Sequence, residues 1–551
     1  MGLVCLALAL LSWRLQGFAF GTDNNVFHIP IVLRWFDLPQ FSGDPFVQSL
    51  RGYATPVYAF LGLFANEANI ETVFFAAFLA TRALTIYAML LIMRACGLRG
   101  VWLAAAGAGL VLASAVYGET VIGRDELFVS IFTHTALAQA VALIGVASLM
   151  RGRLTGAAIA AGLAFDLNVM VGVWALVPVM LTALIRLIAQ PRTRIRETLL
   201  AAAAFALISL PVAAWIVATQ NFAPPDFDYR KFLIGYYPNH FFIGWARWPD
   251  RIMFALQLLS GMTAAALLPR NGGKAALVLA GFALVFVAGI AVGQLSHSRF
   301  LLNLHLLRVD GMATWLAVAL VLAAAFAALS KARDITAFAG IAAVSGLIAN
   351  DWRMVFAALL LLGAGRLAAW RAGRSLPQMP LGKAALNVVA AVAFAGTAFI
   401  WGAYSQAPVV PPGRDVPSDE QLLGARPAAP YWLEVTRWAR SATQADAMFL
   451  VPPKLDFVAA AQRRSWVGWK EGAAVMWAPG FYPVWRTRSD GVAALHSVQA
   501  TLRYACQHRI DYVVLDKRPG KSLSGATTAH AVFDNRWFAI VSPGCAKVPG
   551  A

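Results

Sequence analysis

Thirteen apolar runs dominate this 551-residue chain and leave little room for any other architecture. A helix that crosses a bilayer needs about 20 mostly apolar residues, and most of the runs approach that length. They show none of the residue-by-residue alternation of a membrane β-barrel. The pattern predicts an all-α polytopic membrane protein with about 13 transmembrane helices, at 2–20, 72–93, 101–117, 127–150, 155–165, 169–185, 198–219, 252–268, 275–293, 312–330, 335–349, 354–369 and 384–404.

The composition excludes the main soluble classes. Charged residues make up 13% of the chain, against about 25% in soluble domains, and the mean hydropathy is +0.65. These values exclude a soluble globular enzyme, a disordered chain and a coiled coil. The net charge of +18 would suggest nucleic acid as the partner of a soluble protein, but here membrane topology explains it and no nucleic-acid partner is expected.

The charges are distributed unevenly between the loops. With a cytoplasmic N-terminus and thirteen crossings, the inner loops hold 15 Lys/Arg and no Asp/Glu, and the outer loops hold 10 Lys/Arg. Thirteen of the sixteen acids in 1–404 fall in the outer loops. This positive-inside pattern predicts a multi-pass protein of the bacterial inner membrane whose acidic groups and C-terminus are extracytoplasmic. The first run lacks a basic start and contains Arg14, so we interpret it as a helix rather than a signal peptide, with an upstream start left open.

The composition changes near residue 405. A Pro-rich linker is expected at 405–424, between a transmembrane domain at 1–404 and an extracytoplasmic α/β domain at 425–551. For the latter we predict strands at Met448–Val451, Trp466–Trp469, Tyr512–Leu515 and Trp537–Val541, and helices at Tyr431–Ala442 and Val492–His508. Cys506 and Cys545 fit a disulfide and two free thiols equally well.

The long first outer loop, 21–70, carries the clearest chemistry. Asp23 follows the first helix directly, and Asp44 and His28 lie in the same loop. A carboxylate at the membrane–water boundary can act as a general base toward a sugar or lipid hydroxyl while a lipid tail stays in the bilayer. Asp23 could instead simply cap the following helix.

This order of features resembles the GT-C superfamily of membrane glycosyltransferases, in its protein mannosyltransferase-like and aminoarabinose-transferase-like branch. The resemblance rests on a short first helix, an Asp just after it, a Gly43-Asp44-Pro45 motif in a long loop, many further helices and a C-terminal α/β domain. It implies transfer of a sugar from a polyprenyl-phosphate donor to a lipid, glycan or protein acceptor at the outer face. Asp23 would be the catalytic base and Arg308 the phosphate-binding residue, with Asp44, Asp125 and His28 in supporting roles. The chain has Asp-Asn-Asn where many members carry paired acids, so a divalent metal cofactor stays an open question.

The second outer loop and a break within one apolar block supply further candidate residues. The second outer loop contains Arg124, which could contact a phosphate, and the acids Asp125 and Glu126, which could help to bind a metal, support catalysis or position the acceptor. The same residues could form a solvated turn with an Arg–carboxylate pair. No metal ligands are assigned, because the chain has no CxxC or His/Cys spacing. Asp166 and Asn168 break an apolar block and could line a substrate cavity or make a simple helix–helix turn.

The later outer loops add cations and histidines. In 221–251 aromatic residues are mixed with cations, and His240 and Asp228 are the candidates. Rings can stack on sugar faces and cations can contact phosphates, but aromatic residues also gather at membrane interfaces as anchors. In 294–311 the candidates are Arg299, His305 and above all Arg308, whose guanidinium could hold a phosphate through two oxygens, or could mark the interface by snorkelling. Arg82, deeper in the second helix, is expected to have a buried partner, such as an outer-loop acid.

Two other functions remain open from the sequence. A transporter or flippase of a lipid-linked saccharide should show matching helix interruptions in two halves, and only the one at 166–168 is visible. A non-catalytic scaffold of envelope polysaccharide assembly would keep the same hydropathy. The acids retained in both first outer loops favour an enzyme.

Overall fold

A computed structural model describes residues 1–219, 225–331, 335–372, 383–405, 429–518 and 531–545. The chain divides into two compact units. Unit 1 comprises Met1–Gly17, Ala77–Trp215 and Phe222–Pro412, and unit 2 comprises Phe18–Ala76, Ile216–Asn221 and Gly413–Ala551. The long first loop is thus grouped with the C-terminal segment. Of the predicted linker, 406–424 lies outside the described residues, and the predicted domain boundaries stay predictions.

Helices account for most of the chain up to residue 405. In chain order they are α1 (Gly2–Gln16), α2 (Asn25–Val32), α3 (Pro45–Ser49), α4 (Pro56–Leu61), α5 (Ile70–Ala95), α6 (Gly100–Leu112), α7 (His134–Met150), α8 (Leu154–Leu167), α9 (Val169–Ala189), α10 (Pro191–Thr219), α11 (Tyr229–Tyr236), α12 (Trp248–Leu267), α13 (Gly272–Leu295), α14 (Arg299–Leu302), α15 (Asp310–Lys331), α16 (Ile335–Ile348), α17 (Trp352–Ala372) and α18 (Lys383–Ser405).

Six helical segments among the described residues are long and apolar enough to cross a membrane: Ile70–Ala95, Val169–Ala189, Pro191–Thr219, Gly272–Leu295, Arg299–Lys331 and Trp352–Arg371. Shorter apolar helices, such as α6, α7 and α8, match other predicted runs. The chain is therefore mostly helical with several candidate spans, as predicted, while the number thirteen stays a prediction.

Helix α15 forms the centre of unit 1. It is apolar on every side, and almost all of its residues are buried, including Trp315. A helix without a polar face is covered either by other helices or by lipid, and here α6, α12, α13 and α16 pack against it. The predicted break at 166–168 is present: α8 ends at Leu167, and Asn168 caps α9 by accepting from the Met170 and Val171 N–H groups at 3.1 and 3.3 Å.

Unit 2 combines α2, α3 and α4 with a five-stranded sheet. Its strands are β1 (Met448–Leu450), β2 (Arg464–Ser465), β3 (Tyr512–Asp516), β4 (Ala531–Asp534) and β5 (Phe538–Val541), in the order β2-β1-β3-β5-β4. β1 runs parallel to β2 and β3, and β5 runs antiparallel to β3 and β4. The helices are α19 (Ala429–Ala442), α20 (Val458–Ala461), α21 (Tyr482–Ala493) and α22 (Val498–Gln507).

The local predictions for this region hold in part. β1, β3 and β5 coincide with predicted strands, but β2 lies just before the predicted Trp466–Trp469, and β4 was not predicted because its pattern is short. The single helix predicted from Val492 to His508 is wrong, since α21 ends at Ala493 and Ser497 caps a new helix. Cys506 and Cys545 form a disulfide with a Cα–Cα distance of 5.4 Å, which decides the alternative left open by the sequence.

Candidate functional site

Asp23 lies in unit 2, directly before α2, and does not cap that helix. The cap residue is Asn24, and the Asp23 carboxylate forms an ion pair with the Lys470 ammonium group instead. The backbone at Asp23 is left-handed, with φ of 49°, and its N–H donates to Asp456 Oδ2 at 2.5 Å. Both side chains of the Asp23–Lys470 pair are 23% exposed. The helix-cap interpretation is therefore wrong, and this carboxylate can be reached from solvent.

Asp44 is a buried helix cap. Its Oδ1 accepts hydrogen bonds from the Phe46 and Val47 N–H groups, both at 3.0 Å, at the start of α3. Burial raises the pKa of this carboxyl, against the opposing effect of those hydrogen bonds. His28 is also buried, inside α2, where its ring stacks on Tyr58 with centroids 4.4 Å apart. For both residues the surroundings favour a structural role over contact with a substrate.

Glu471 is an acid that the sequence analysis did not select. It is buried in the C-terminal segment, and burial, followed by the charge of nearby Asp44, raises its pKa to about 8. Arg488 also acts on both carboxyls. Its guanidinium lies over the Trp466 ring, 4.0 Å from the centroid. An isolated Glu in the chain gives no sign of burial, so only the three-dimensional structure reveals this group.

The raised pKa of Glu471 predicts a pH-dependent stability. Between about pH 4.5, its ordinary pKa, and about pH 8, the folded protein keeps a proton that the unfolded chain loses. Stability therefore falls as pH rises through this range, by a few kcal/mol at most, because the unfolded state binds fewer protons. Denaturation of the full-length protein in detergent at pH 5, 6, 7 and 8 checks the slope.

Two variants separate Glu471 from other acids. Glu471→Gln should flatten the slope, because it removes the titrating carboxyl. Asp490→Asn should leave the slope unchanged, because Asp490 is exposed and pairs with Arg486 on one helix face. Equal slopes in Glu471→Gln and the parent protein would contradict the assignment.

In unit 1 the connection between α6 and α7 carries Asp125 into a buried ion pair. Its carboxylate pairs with the Arg308 guanidinium and accepts from the Gln139 amide. The Asp125 side chain is 1% exposed and that of Arg308 17%. Burial raises the pKa of Asp125, and Arg308 opposes this. A Cβ at position 311 would lie 2.5 Å from Asp125 Oδ2, so Gly311 makes room for the pair. The solvated-turn interpretation is wrong for Asp125.

Asp310 and His240 hold the same connection in place through the two backbone groups of Gly123, its N–H and its carbonyl oxygen. Asp310 Oδ2 accepts from the Ile122 and Gly123 N–H groups at 3.2 and 2.8 Å. His240 Nδ1 lies 2.6 Å from the Gly123 carbonyl oxygen and must donate to it, which assigns the proton to Nδ1. The His240 ring lies 5.9 Å from that of His305. The sequence placed Asp310 among the outer acids without selecting it.

The structure thus brings four predicted residues of unit 1 together: Asp125, His240, His305 and Arg308. All four surround the turn at Gly123, whose Cβ position would lie 2.6 Å from the Arg308 Cα. A glycine is needed for this close approach. The cluster is polar, mostly buried and tied to the N-terminal end of the central helix.

The remaining predicted residues lie elsewhere. Arg124 has a left-handed backbone, with φ of 52°, and pairs loosely with Glu119 at 3.7 Å. Glu126 is half-buried and forms an isolated antiparallel bridge with Glu119. For Arg124 the solvated-turn interpretation fits this loose pairing. A substrate role stays a prediction for both Arg124 and Glu126.

Three predicted residues lie at helix ends. Besides capping α9, Asn168 donates to Thr135 Oγ1 at 2.9 Å, and its amide nitrogen lies 3.1 Å from His134 Nε2. Asp166 is half-buried in the last turn of α8, and Arg299 begins α14. A substrate role for these three stays a prediction.

Arg82 has neutral partners where an acid was expected. Its guanidinium donates to Ser12 Oγ at 2.5 Å, Gln16 Oε1 at 2.8 Å and the Val129 carbonyl at 2.6 Å, and it lies 4.1 Å from the Phe128 ring centroid. The predicted buried partner is therefore present, but it is a set of neutral acceptors rather than an outer-loop acid. Neutral acceptors and the face of an aromatic ring stabilise the Arg82 cation.

Metal-ligand clusters are absent from the part of the chain that the structure describes: no group of three or more His, Cys, Asp or Glu there could hold a metal ion.

Comparisons with known proteins add one family model and several solved structures. The model, named "Domain of unknown function (DUF6798)", matches residues 430–492, the part of unit 2 that contains Asp456 and Lys470. No curated protein matches the sequence. The chain is similar to ArnT from Cupriavidus metallidurans in the apo state, with 13% identity, TM-score 0.45 and coverage of 98% of this chain and 97% of ArnT.

Two further solved structures are similar at the same level. ArnT from Cupriavidus metallidurans bound to undecaprenyl phosphate has 14% identity and TM-score 0.43, with coverage of 98% and 97%. The oligosaccharyltransferase AglB from Archaeoglobus fulgidus, in complex with an inhibitory peptide and a dolichol-phosphate, has 12% identity and TM-score 0.42, with coverage of 93% of this chain and 69% of AglB. The resemblance to GT-C membrane glycosyltransferases stays a prediction at this level of similarity. Similarity at this level assigns no role to any residue of this chain.

Proposed function

We propose that this protein is a membrane glycosyltransferase of GT-C type. It moves a sugar from a polyprenyl-phosphate donor to an acceptor at the outer face, with Asp23 as the general base. We choose Asp23 as the base because its carboxylate is exposed to solvent. Asp23 is 23% exposed, whereas Asp44 and Asp125 are buried and hold a helix end and a guanidinium, respectively.

In the proposed reaction Asp23 takes the proton of the acceptor hydroxyl. The hydroxyl oxygen then forms a bond to the anomeric carbon, and the bond from that carbon to the donor phosphate oxygen breaks. The phosphate leaves with the bonding electron pair. A base must lie within hydrogen-bond reach of the proton it removes. The position of the Asp23 backbone, from which its carboxylate extends, is fixed by the hydrogen bond from its N–H to Asp456.

Arg308 is our candidate for binding the anionic part of a lipid-linked substrate. Its guanidinium is partly exposed, and its pairing with Asp125 fixes its orientation. The planar guanidinium carries five N–H donors, so it can keep the carboxylate while it contacts a phosphate. His240 and His305 lie beside it and complete a polar, largely buried cluster.

Transfer from a defined donor tests this proposal. Purified full-length protein in nanodiscs is incubated with radiolabelled sugars on polyprenyl phosphate, with and without divalent metal, and the release of free sugar or product and of lipid phosphate is measured. Turnover of one donor is expected, and the comparison with and without metal shows whether that turnover requires a divalent ion. Saturable binding of a lipid-linked saccharide without turnover would favour the transporter or flippase, and the absence of both would favour the scaffold.

A further inference from the structure

An exposed apolar patch marks the end of the first long loop. Phe60, Leu63 and Phe64 are 60%, 76% and 60% exposed, and the two Phe rings lie edge to face with centroids 5.3 Å apart. No charged residue occurs between Gly52 and Asn66. Three large apolar side chains within five residues are unusual on a loop that faces water. Exposed apolar clusters generally mark a surface that contacts a partner or a membrane.

We propose that Phe60, Leu63 and Phe64, the α4 patch, insert into the outer interfacial layer of the bilayer. The position of the patch in the chain indicates that the surface it contacts is the bilayer. The patch ends six residues before α5, and α5 is long and apolar enough to cross a membrane. The free energy of aromatic and aliphatic side chains without nearby charge falls when they move from water into that layer.

The α4 patch is joined firmly to the segment that carries Asp23. Tyr58, on α4, stacks on His28 of α2 and is fully buried. Gly62, in the turn after α4, lies so close to α2 that a Cβ there would be 2.9 Å from the Val32 carbonyl oxygen. Insertion of the patch therefore fixes the height of α2, and of Asp23 at its start, above the bilayer. For catalysis this consequence rests on the function proposed above.

A fluorescent label measures the insertion directly and independently of activity. Leu63→Cys is labelled with NBD in the full-length protein, and the protein is placed in phosphatidylethanolamine–phosphatidylglycerol nanodiscs with doxyl-labelled lipids. Ser42→Cys, at an exposed position of the same loop, is the matched control. Cys5 and Cys96 are buried and Cys506–Cys545 is a disulfide, so the unmodified protein reports background labelling.

We expect the label at Leu63→Cys to emit at shorter wavelength than at Ser42→Cys and to be quenched by shallow doxyl groups, while the control stays unquenched. Emission as in water at Leu63→Cys would overturn the proposal. A shift to shorter wavelength without quenching by doxyl lipids would also overturn it, because it would assign the patch to a protein contact. Because no step depends on sugar transfer, failure here is distinct from failure of the proposed function.

Discussion

The variant Asp23→Asn is expected to lower the rate of sugar transfer by a factor of about 10² to 10⁴, the usual contribution of a general base. The fold should survive. Asn tolerates the left-handed backbone at this position at least as well as Asp, and the hydrogen bond to Asp456 comes from the backbone N–H and is retained. The lost ion pair with Lys470 is partly exposed, and such pairs contribute about 0 to 1 kcal/mol.

Asp37→Asn is the matched control for this experiment. Asp37 lies in the same loop and also forms ion pairs, with Arg34 at 2.8 Å and Arg51 at 2.9 Å, so it reports the loss of a charge without the loss of the proposed base. Transfer rates for both variants are measured with the donor that the parent protein uses, and thermal unfolding in detergent checks the fold. Full activity in Asp23→Asn would show that another group removes the proton.

The sequence predicted what depends on local pattern and missed what depends on contact. Apolar runs predicted the helices, and β-rich segments predicted β1, β3 and β5, because hydrophobic periodicity acts over a few residues. The partner of Asp23 is Lys470, far along the chain, and no local pattern connects the two. Asp44 was selected for its motif, yet its carboxylate is used in capping α3.

Buried acids were the hardest residues to interpret from sequence. Asp125, Asp310 and Glu471 come from three separate segments whose local sequence does not show whether the acid is buried, and all three are buried. Each is accommodated by partners from other parts of its unit, such as Arg308 for Asp125. The four predicted residues that do meet around Gly123 come from three separate outer loops, so their arrangement could not be predicted from local pattern, and their role in a substrate site stays a prediction.

Loss of the buried carboxylate gives the second large effect. Asp125→Ala is expected to lower the free energy of unfolding by about 3 to 5 kcal/mol, because it leaves the Arg308 charge largely buried without its partner. The Gln139 amide loses its acceptor as well. Denaturant titration of the full-length protein in detergent micelles measures the difference. Glu119→Gln is the matched control, since its pair with Arg124 is long and exposed, and it should change stability by less than about 1 kcal/mol.

The double variant Asp125→Leu/Arg308→Met decides whether the charge or the packing causes the loss. Replacing a buried ion pair by apolar residues of similar volume is often close to neutral, whereas removing one partner is not. We therefore expect the double variant to be more stable than Asp125→Ala, a strongly non-additive result for two residues in contact. If the double variant is as unstable as Asp125→Ala, the unpaired charge of Arg308 is not the cause, and the connection between α6 and α7 depends on the Asp125 carboxylate for its shape.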